Sequence, residues 1–186
     1  MLKLMILDMD GTLFDTTGVN YHSYKDAISE YGYDVDYDFY RYECNGKHYK
    51  DFLPLFATDD KELMEIIHQK KIDLYQKHLD KARLNEPLLA LVKASKKDGV
   101  KIALVTNASR QNVEEILKTF GIRECFDYVM TQEDISKPKP DPSCFIETMQ
   151  RFEAKPEETL IFEDSPVGLQ AAKDSGAEYY QVYNYR

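Results

Sequence analysis

A chain of 186 residues has room for one sizeable core and a small insert, and is too short for two full domains. Its 24 Lys and Arg against 33 Asp and Glu give a net charge of -9, which excludes a general binder of nucleic acid or anionic membrane, since both need a basic patch. No apolar run approaches the roughly 18 residues of a membrane span, and the opening one is interrupted at Asp8, so neither anchor nor secretory signal is expected and the protein is read as cytoplasmic.

The first element is the apolar run Leu4 to Leu7, of the kind that forms a strand buried on both faces of a parallel sheet. "DMDGT" follows it at once. From about Thr16 to Leu84 the pattern becomes helical, with stripes Tyr24, Ala27, Ile28, Tyr31 and Leu63, Ile66, Ile67, Leu74, and no convincing buried strand. This stretch reads as a helical insert over residues 16–85. Most of the tyrosines crowded into its first half are expected to form the insert's own small core and its amphipathic surface.

After the insert, Leu88, Leu91 and Val92 form a stripe ended by Gly99, and Ile102 to Val105 is a second apolar strand followed by "TNAS". Val113, Ile116, Leu117 and Phe120 then make a helix that stops at Gly121. Phe145, Met149 and Phe152 make another, entered through Asp141 as cap and Pro142 in the first turn. Leu160 to Phe162 is a third apolar strand, followed by "EDSPVG", and Tyr179 to Val182 is the last strand. Strands alternating with helices predict an α/β fold, a doubly wound, Rossmann-like parallel sheet over residues 1–15 and 86–186.

Cys44, Cys125 and Cys144 are odd in number and lack C-x-x-C spacing, which suits reduced packing residues. His22, His48, His68 and His78 have no metal-ligand spacing and are expected at the surface.

If the three apolar strands run parallel, the polar groups that follow them meet on one edge of the sheet, where such folds collect ligands. Asp8, Asp10, Glu163 and Asp164 then crowd together, an arrangement that costs several kcal/mol unless a cation is bound. Hard oxygen donors suit Mg²⁺. Two plainer readings compete: Asp8 and Asp10 as turn residues closed by Gly11, and Glu163 and Asp164 as caps ahead of Pro166.

"DMDGTLFDT", "LVTNAS", "SKPKPDP" and "IFEDSPVGLQAAKDSGA" resemble the four ordered motifs of the haloacid-dehalogenase-like phosphatase superfamily, most closely the branch of phosphoglycolate phosphatases and β-phosphoglucomutases. The resemblance implies an Mg²⁺-dependent phosphatase acting on a small phosphorylated metabolite, with Asp8 as nucleophile and Asp10 as the acid and base. It implies Mg²⁺ held by Asp8, the backbone carbonyl of Asp10 and Asp164, with Glu163 a direct or water-mediated ligand. Thr106 and Asn107 would face the phosphoryl oxygens, and Gly11 would let backbone amides approach them. Of the two lysines in "KPKP", the family register favours Lys137 as the fixed positive charge, leaving Lys139 as a solvated side chain. The insert becomes a cap, and its stretch "RYECNGKHYKDF" offers Lys47 as a substrate contact.

A phosphomutase of the same branch and a non-catalytic phospho-acceptor or Mg²⁺-binding domain are the alternatives. Asn20 stands where mutases of the branch commonly carry a histidine, which leans toward hydrolysis, and a receiver-type domain needs no insert of this length. A monomer is expected, with no nucleic-acid or membrane partner.

Overall fold

The computed structural model describes residues 1–183, so residues 184–186 of the expected core lie outside the described residues. The chain divides into two compact units, Met1–Asp15 with Arg83–Arg186, and Thr16–Ala82.

In chain order, the first unit opens with β1 (Leu4–Leu7) and β2 (Phe14–Asp15). The second unit contributes α1 (Thr17–Ser29), the short turns α2 (Tyr37–Phe39) and α3 (Tyr49–Phe52), and α4 (Lys61–Leu74). The first unit resumes with β3 (Arg83–Leu84), α5 (Glu86–Lys97), β4 (Lys101–Val105), α6 (Arg110–Thr119), β5 (Tyr128–Met130), α7 (Ser143–Arg151), β6 (Thr159–Glu163), α8 (Pro166–Asp174) and β7 (Glu178–Gln181).

Five strands form one sheet in the order β5-β4-β1-β6-β7, every neighbouring pair parallel. With helices on both sides, this is the expected α/β architecture. All four residues of β1 are buried, as an apolar run in the middle of a parallel sheet must be. Leu7 pairs with Leu104 on one side and Phe162 on the other, so the residues after β1 and β4 and at the end of β6 emerge along one edge. Leu4, Ile6, Val105, Phe145, Met149 and Ala171 pack into the core cluster of this unit.

Some helix boundaries differ from expectation. The helix expected from Pro142 starts at Ser143; Pro142 takes the cap position, and Asp141 Oδ1 accepts from the Ser143 amide at 3.0 Å. In α5 the stripe residue Leu91 is 44% exposed, because only Leu88, Leu89 and Val92 turn inward. Tyr128–Met130 forms a strand that three residues of apolar pattern do not announce. β2 and β3 pair as a two-residue antiparallel ribbon, Phe14 against Leu84. All three cysteines are buried and free. Among the described residues no helix is long and apolar enough to cross a membrane.

The helical unit has its own core, in which Tyr21, Tyr24, Tyr40 and Phe52 join Ile28 and Ile67. Tyr24 and Phe52 meet edge to face with ring centroids 5.0 Å apart. Of the four histidines expected at the surface only His48 is exposed; His22, His78 and His68 are half-buried, His68 on the inner side of α4. Its ring stacks on Tyr49 at 3.9 Å, and its Nδ1 lies 2.8 Å from the Tyr24 hydroxyl. Burial pushes the Tyr24 phenol up, so it stays protonated beside the imidazole. Burial, followed by the Lys71 charge, lowers the His68 pKa from 6.5 to about 4.

Protonating His68 therefore favours the unfolded chain. The stability it lends is complete above about pH 6.5 and is lost as pH falls toward 4, an effect of about 2 to 3 kcal/mol at most. NMR titration of the His68 imidazole resonance is expected to give a midpoint near 4. A His68 midpoint near 6.5 would contradict the packing described.

Candidate active site

Three strand ends build the site. Asp8 follows β1 directly, its amide donating to Phe162 O at 3.0 Å, and its residue is 7% exposed. Thr106 follows β4, is 1% exposed, and accepts from the Ala108 amide at 3.1 Å, which shapes the turn after the strand. Glu163 closes β6 at 1% exposure, with Asp164 next in the chain.

One oxygen from each of Asp8, Glu163 and Asp164 lies within 4.8 Å of the other two. Lys139 is the only lysine within hydrogen-bond distance of Asp8 among the described residues, and its side chain is 2% exposed. Its ammonium donates to Asp8 Oδ1 at 2.7 Å, to Glu163 Oε1 at 2.6 Å and to Val105 O at 3.1 Å, which uses all three of its protons.

The expectation of Lys137 in this place is corrected by that geometry. The Lys137 side chain is 70% exposed and its ammonium faces Asp141 at 3.7 Å. Both lysines lie in an irregular loop ahead of α7, where neither helical nor strand periodicity fixes which of two side chains, two residues apart, turns inward.

Charge in the cluster is unbalanced, with one ammonium against three carboxylates. Burial raises the Asp8 pKa well above the ordinary carboxylate value, and Glu163 and Asp164 add to the rise while Lys139 opposes it. Asp164 is pushed up to about 7 by burial and then by Glu163, with Asp10 contributing in the same direction. Burial works against the Lys139 charge, but Asp8 and Glu163 outweigh it and keep the ammonium protonated. A hard divalent cation fits this donor set: the cluster is all carboxylate oxygen, has no His or Cys, and sets three carboxylates against the single Lys139 ammonium.

The haloacid dehalogenase-like hydrolase family model matches residues 5–182. The chain belongs to that family.

Two curated relatives and one solved structure are similar to it. It is 27% identical over 183 residues to a phosphorylated carbohydrates phosphatase of Thermotoga maritima, covering 95% of this chain and 83% of the relative. It is 27% identical over 186 residues to the pyrophosphatase PpaX of Bacillus cereus, covering 95% and 81%. Its fold matches that of CbbY from Rhodobacter sphaeroides, crystallised with phosphate, at a TM-score of 0.85 and 23% identity, covering 100% of this chain and 88% of that one.

Within this hydrolase fold the other expected residues fall as follows. Asp10 is partly exposed beside the cluster, close enough to raise the proton affinity of Asp164. Asn107 is exposed at the strand edge, next to Thr106. Lys47 lies in the helical unit, its side chain 51% exposed and 3.9 Å from Glu43.

Gly11 has φ +87°, and a Cβ there would stand 2.1 Å from Asp164 Oδ2. Thr12, fully buried, donates to Asp164 Oδ1 at 3.1 Å. Sequence reading found Gly11 but gave it to the phosphate; the structure adds that it makes room for Asp164. Gly11→Ala forces a left-handed alanine into contact with that carboxylate. It is expected to cost about 1 to 2 kcal/mol in urea unfolding, and to raise the divalent-cation concentration for half-maximal activity about tenfold or more. An unchanged metal requirement would separate Gly11 from the placement of Asp164.

Proposed function

We propose that this hydrolase is an Mg²⁺-dependent phosphatase of small phosphomonoesters, sugar phosphates above all, working through an aspartyl-phosphate on Asp8. The observation that carries the reading is the buried Lys139 bridging Asp8 and Glu163 beside Asp164 at the sheet edge. A structural ion pair needs no third carboxylate. A nucleophile, a fixed cation and spare acidic donors together suit phosphoryl transfer.

In this reading Asp8 attacks phosphorus in line and the bond to the leaving oxygen breaks. Asp10 gives that oxygen its proton. Water then attacks phosphorus of the Asp8 phosphate, Asp10 takes the water's proton, and inorganic phosphate leaves with Asp8 restored. Lys139 holds Asp8 in place and balances charge on the transferring group, while Thr106 and Asn107 receive its oxygens. Mg²⁺, when held by Asp8, Asp164 and the backbone carbonyl of Asp10, supplies the positive charge that lets an anionic nucleophile meet an anionic phosphate.

The similarity to a phosphorylated carbohydrates phosphatase supports the substrate class. Selection of the leaving group is assigned to the helical unit, with Lys47 as the residue whose replacement is expected to raise KM. Hydrolysis is preferred to mutase chemistry because Asn20 donates to Thr16 Oγ1 and His22 stacks on His78, which leaves neither in the role of the mutases' early histidine.

The test is phosphate release from an aryl phosphate and a panel of hexose and pentose phosphates by the purified protein. Release that requires Mg²⁺ and stops with EDTA is expected. Conversion of a hexose 1-phosphate to its 6-phosphate without net release would overturn the hydrolase reading.

A further inference from the structure

Two roles compete for Glu163. It belongs to the group of three carboxylates, and it touches Lys139. Its hydrogen bonds separate them. Oε1 accepts the Lys139 ammonium at 2.6 Å. Oε2 accepts the Asp164 amide at 2.8 Å, the Ser165 amide at 2.9 Å and the Ser165 hydroxyl at 3.1 Å. Oε2 is filled by its three donors, and the one donor on Oε1 is the Lys139 ammonium, so a metal ion bound there would stand beside a fixed positive charge.

The seat around this carboxylate is built by the start of α8. Ser165 caps the helix, its Oγ accepting from the Gly168 amide at 3.1 Å, so the carboxylate rests against the helix's positive end. Gly168 is what makes the seat possible. A Cβ there would stand 1.8 Å from Glu163 Oε1 and 2.0 Å from its Cδ, closer than any side chain tolerates. Asp164 is held differently: Thr12 donates to its Oδ1, and its Oδ2 lies over Gly11.

We infer that Glu163 is a positioning residue, not a direct metal ligand: seated by Ser165 and by the bare backbone of Gly168, it holds the Lys139 ammonium against Asp8. This rests on the metal-dependent phosphatase reading above. In wild-type protein the ammonium has three fixed acceptors, Asp8, Glu163 and Val105. Without Glu163 it keeps two and is free to swing, so the charge no longer stands at one place when phosphate arrives. Gly168→Ala reaches the same end with the site's net charge unchanged.

The test measures Glu163→Gln, Gly168→Ala and Asp164→Asn side by side, with Mg²⁺ alone titrated by calorimetry and kcat and KM read on an aryl phosphate. Glu163→Gln and Gly168→Ala are expected to lower kcat about 10- to 100-fold. Both should keep KM and hold the Mg²⁺ dissociation constant within about fivefold of wild type, whereas Asp164→Asn is expected to weaken Mg²⁺ by about 100-fold. In a Lys139→Met background, Glu163→Gln should cost nothing further.

Loss of Mg²⁺ binding in Glu163→Gln on the scale of Asp164→Asn would overturn the inference, as would additive losses in the double variant. Urea midpoints accompany each protein. If Gly168→Ala does not fold, Glu163→Gln and the double variant decide alone. A wild-type protein that binds Mg²⁺ but releases no phosphate defeats the phosphatase reading, and calorimetry still answers whether Glu163 is a ligand.

Discussion

Asp8→Asn is expected to abolish phosphate release, with a fall in kcat of at least about 10⁴-fold, because an amide oxygen does not serve as nucleophile where a carboxylate does. The same change is expected to leave the fold as stable as wild type, or more so, when no metal is present. The reason lies in the sign of the Asp8 shift. Its pKa is raised by burial and by two neighbouring acids, so its ionised form works against folding above the ordinary carboxylate range. Asparagine removes that charge, while Lys139 retains Glu163 and Val105 as acceptors. Phosphate assays and urea unfolding in EDTA measure the two halves. Persisting activity, or unfolding well below the wild-type midpoint, would contradict the site.

The second large effect separates two lysines that stand two residues apart. Lys139→Met strands Asp8 and Glu163 as buried carboxylates without their shared cation. A loss of about 3 to 5 kcal/mol in urea unfolding is expected, the usual penalty for removing one partner of a buried ion pair. The kcat is expected to fall about 10²- to 10³-fold, the scale for one fixed charge aimed at a reacting group. Lys137→Met removes an exposed ammonium 3.7 Å from Asp141, and such a contact is worth about 1 kcal/mol or less. Activity within about twofold of wild type is expected there. Equal losses at both positions would mean that the loop ahead of α7 is arranged differently.

That pair of lysines marks where sequence reading reaches its limit. The parallel sheet was legible because a buried central strand has to be apolar on both faces, and Leu4–Leu7 states this directly. Asp8, Thr106, Glu163 and Asp164 follow from it, since residues at parallel strand ends share an edge whatever their distance in sequence. Lys139 does not follow, because it arrives on a loop with no period to fix its direction. The role of Gly168 was hidden for a related reason. A helical glycine reads as close packing, and only coordinates reveal that the atom packed against it is Glu163 Oε1.

Within the helical unit, apolar stripes announced the helices but overstated what they bury. Tyr31 and Ile66 are 40% and 46% exposed, since a small unit has too little interior to cover a whole stripe. His68 was unreadable for the opposite reason: spacing argues about ligands, and nothing in a sequence says which polar ring will be stacked between aromatic neighbours.

The most direct measurement is chemical trapping of the nucleophile. Enzyme quenched during turnover of a phosphomonoester with Mg²⁺ is reduced with borohydride, digested, and the peptide spanning residues 1–25 is sequenced by mass spectrometry. An acyl-phosphate at Asp8 reduces to homoserine at position 8, and that product is expected only when substrate and Mg²⁺ are both present. Turnover with unmodified Asp8, or homoserine at another aspartate, would show that the phosphoryl group never passes through this carboxylate.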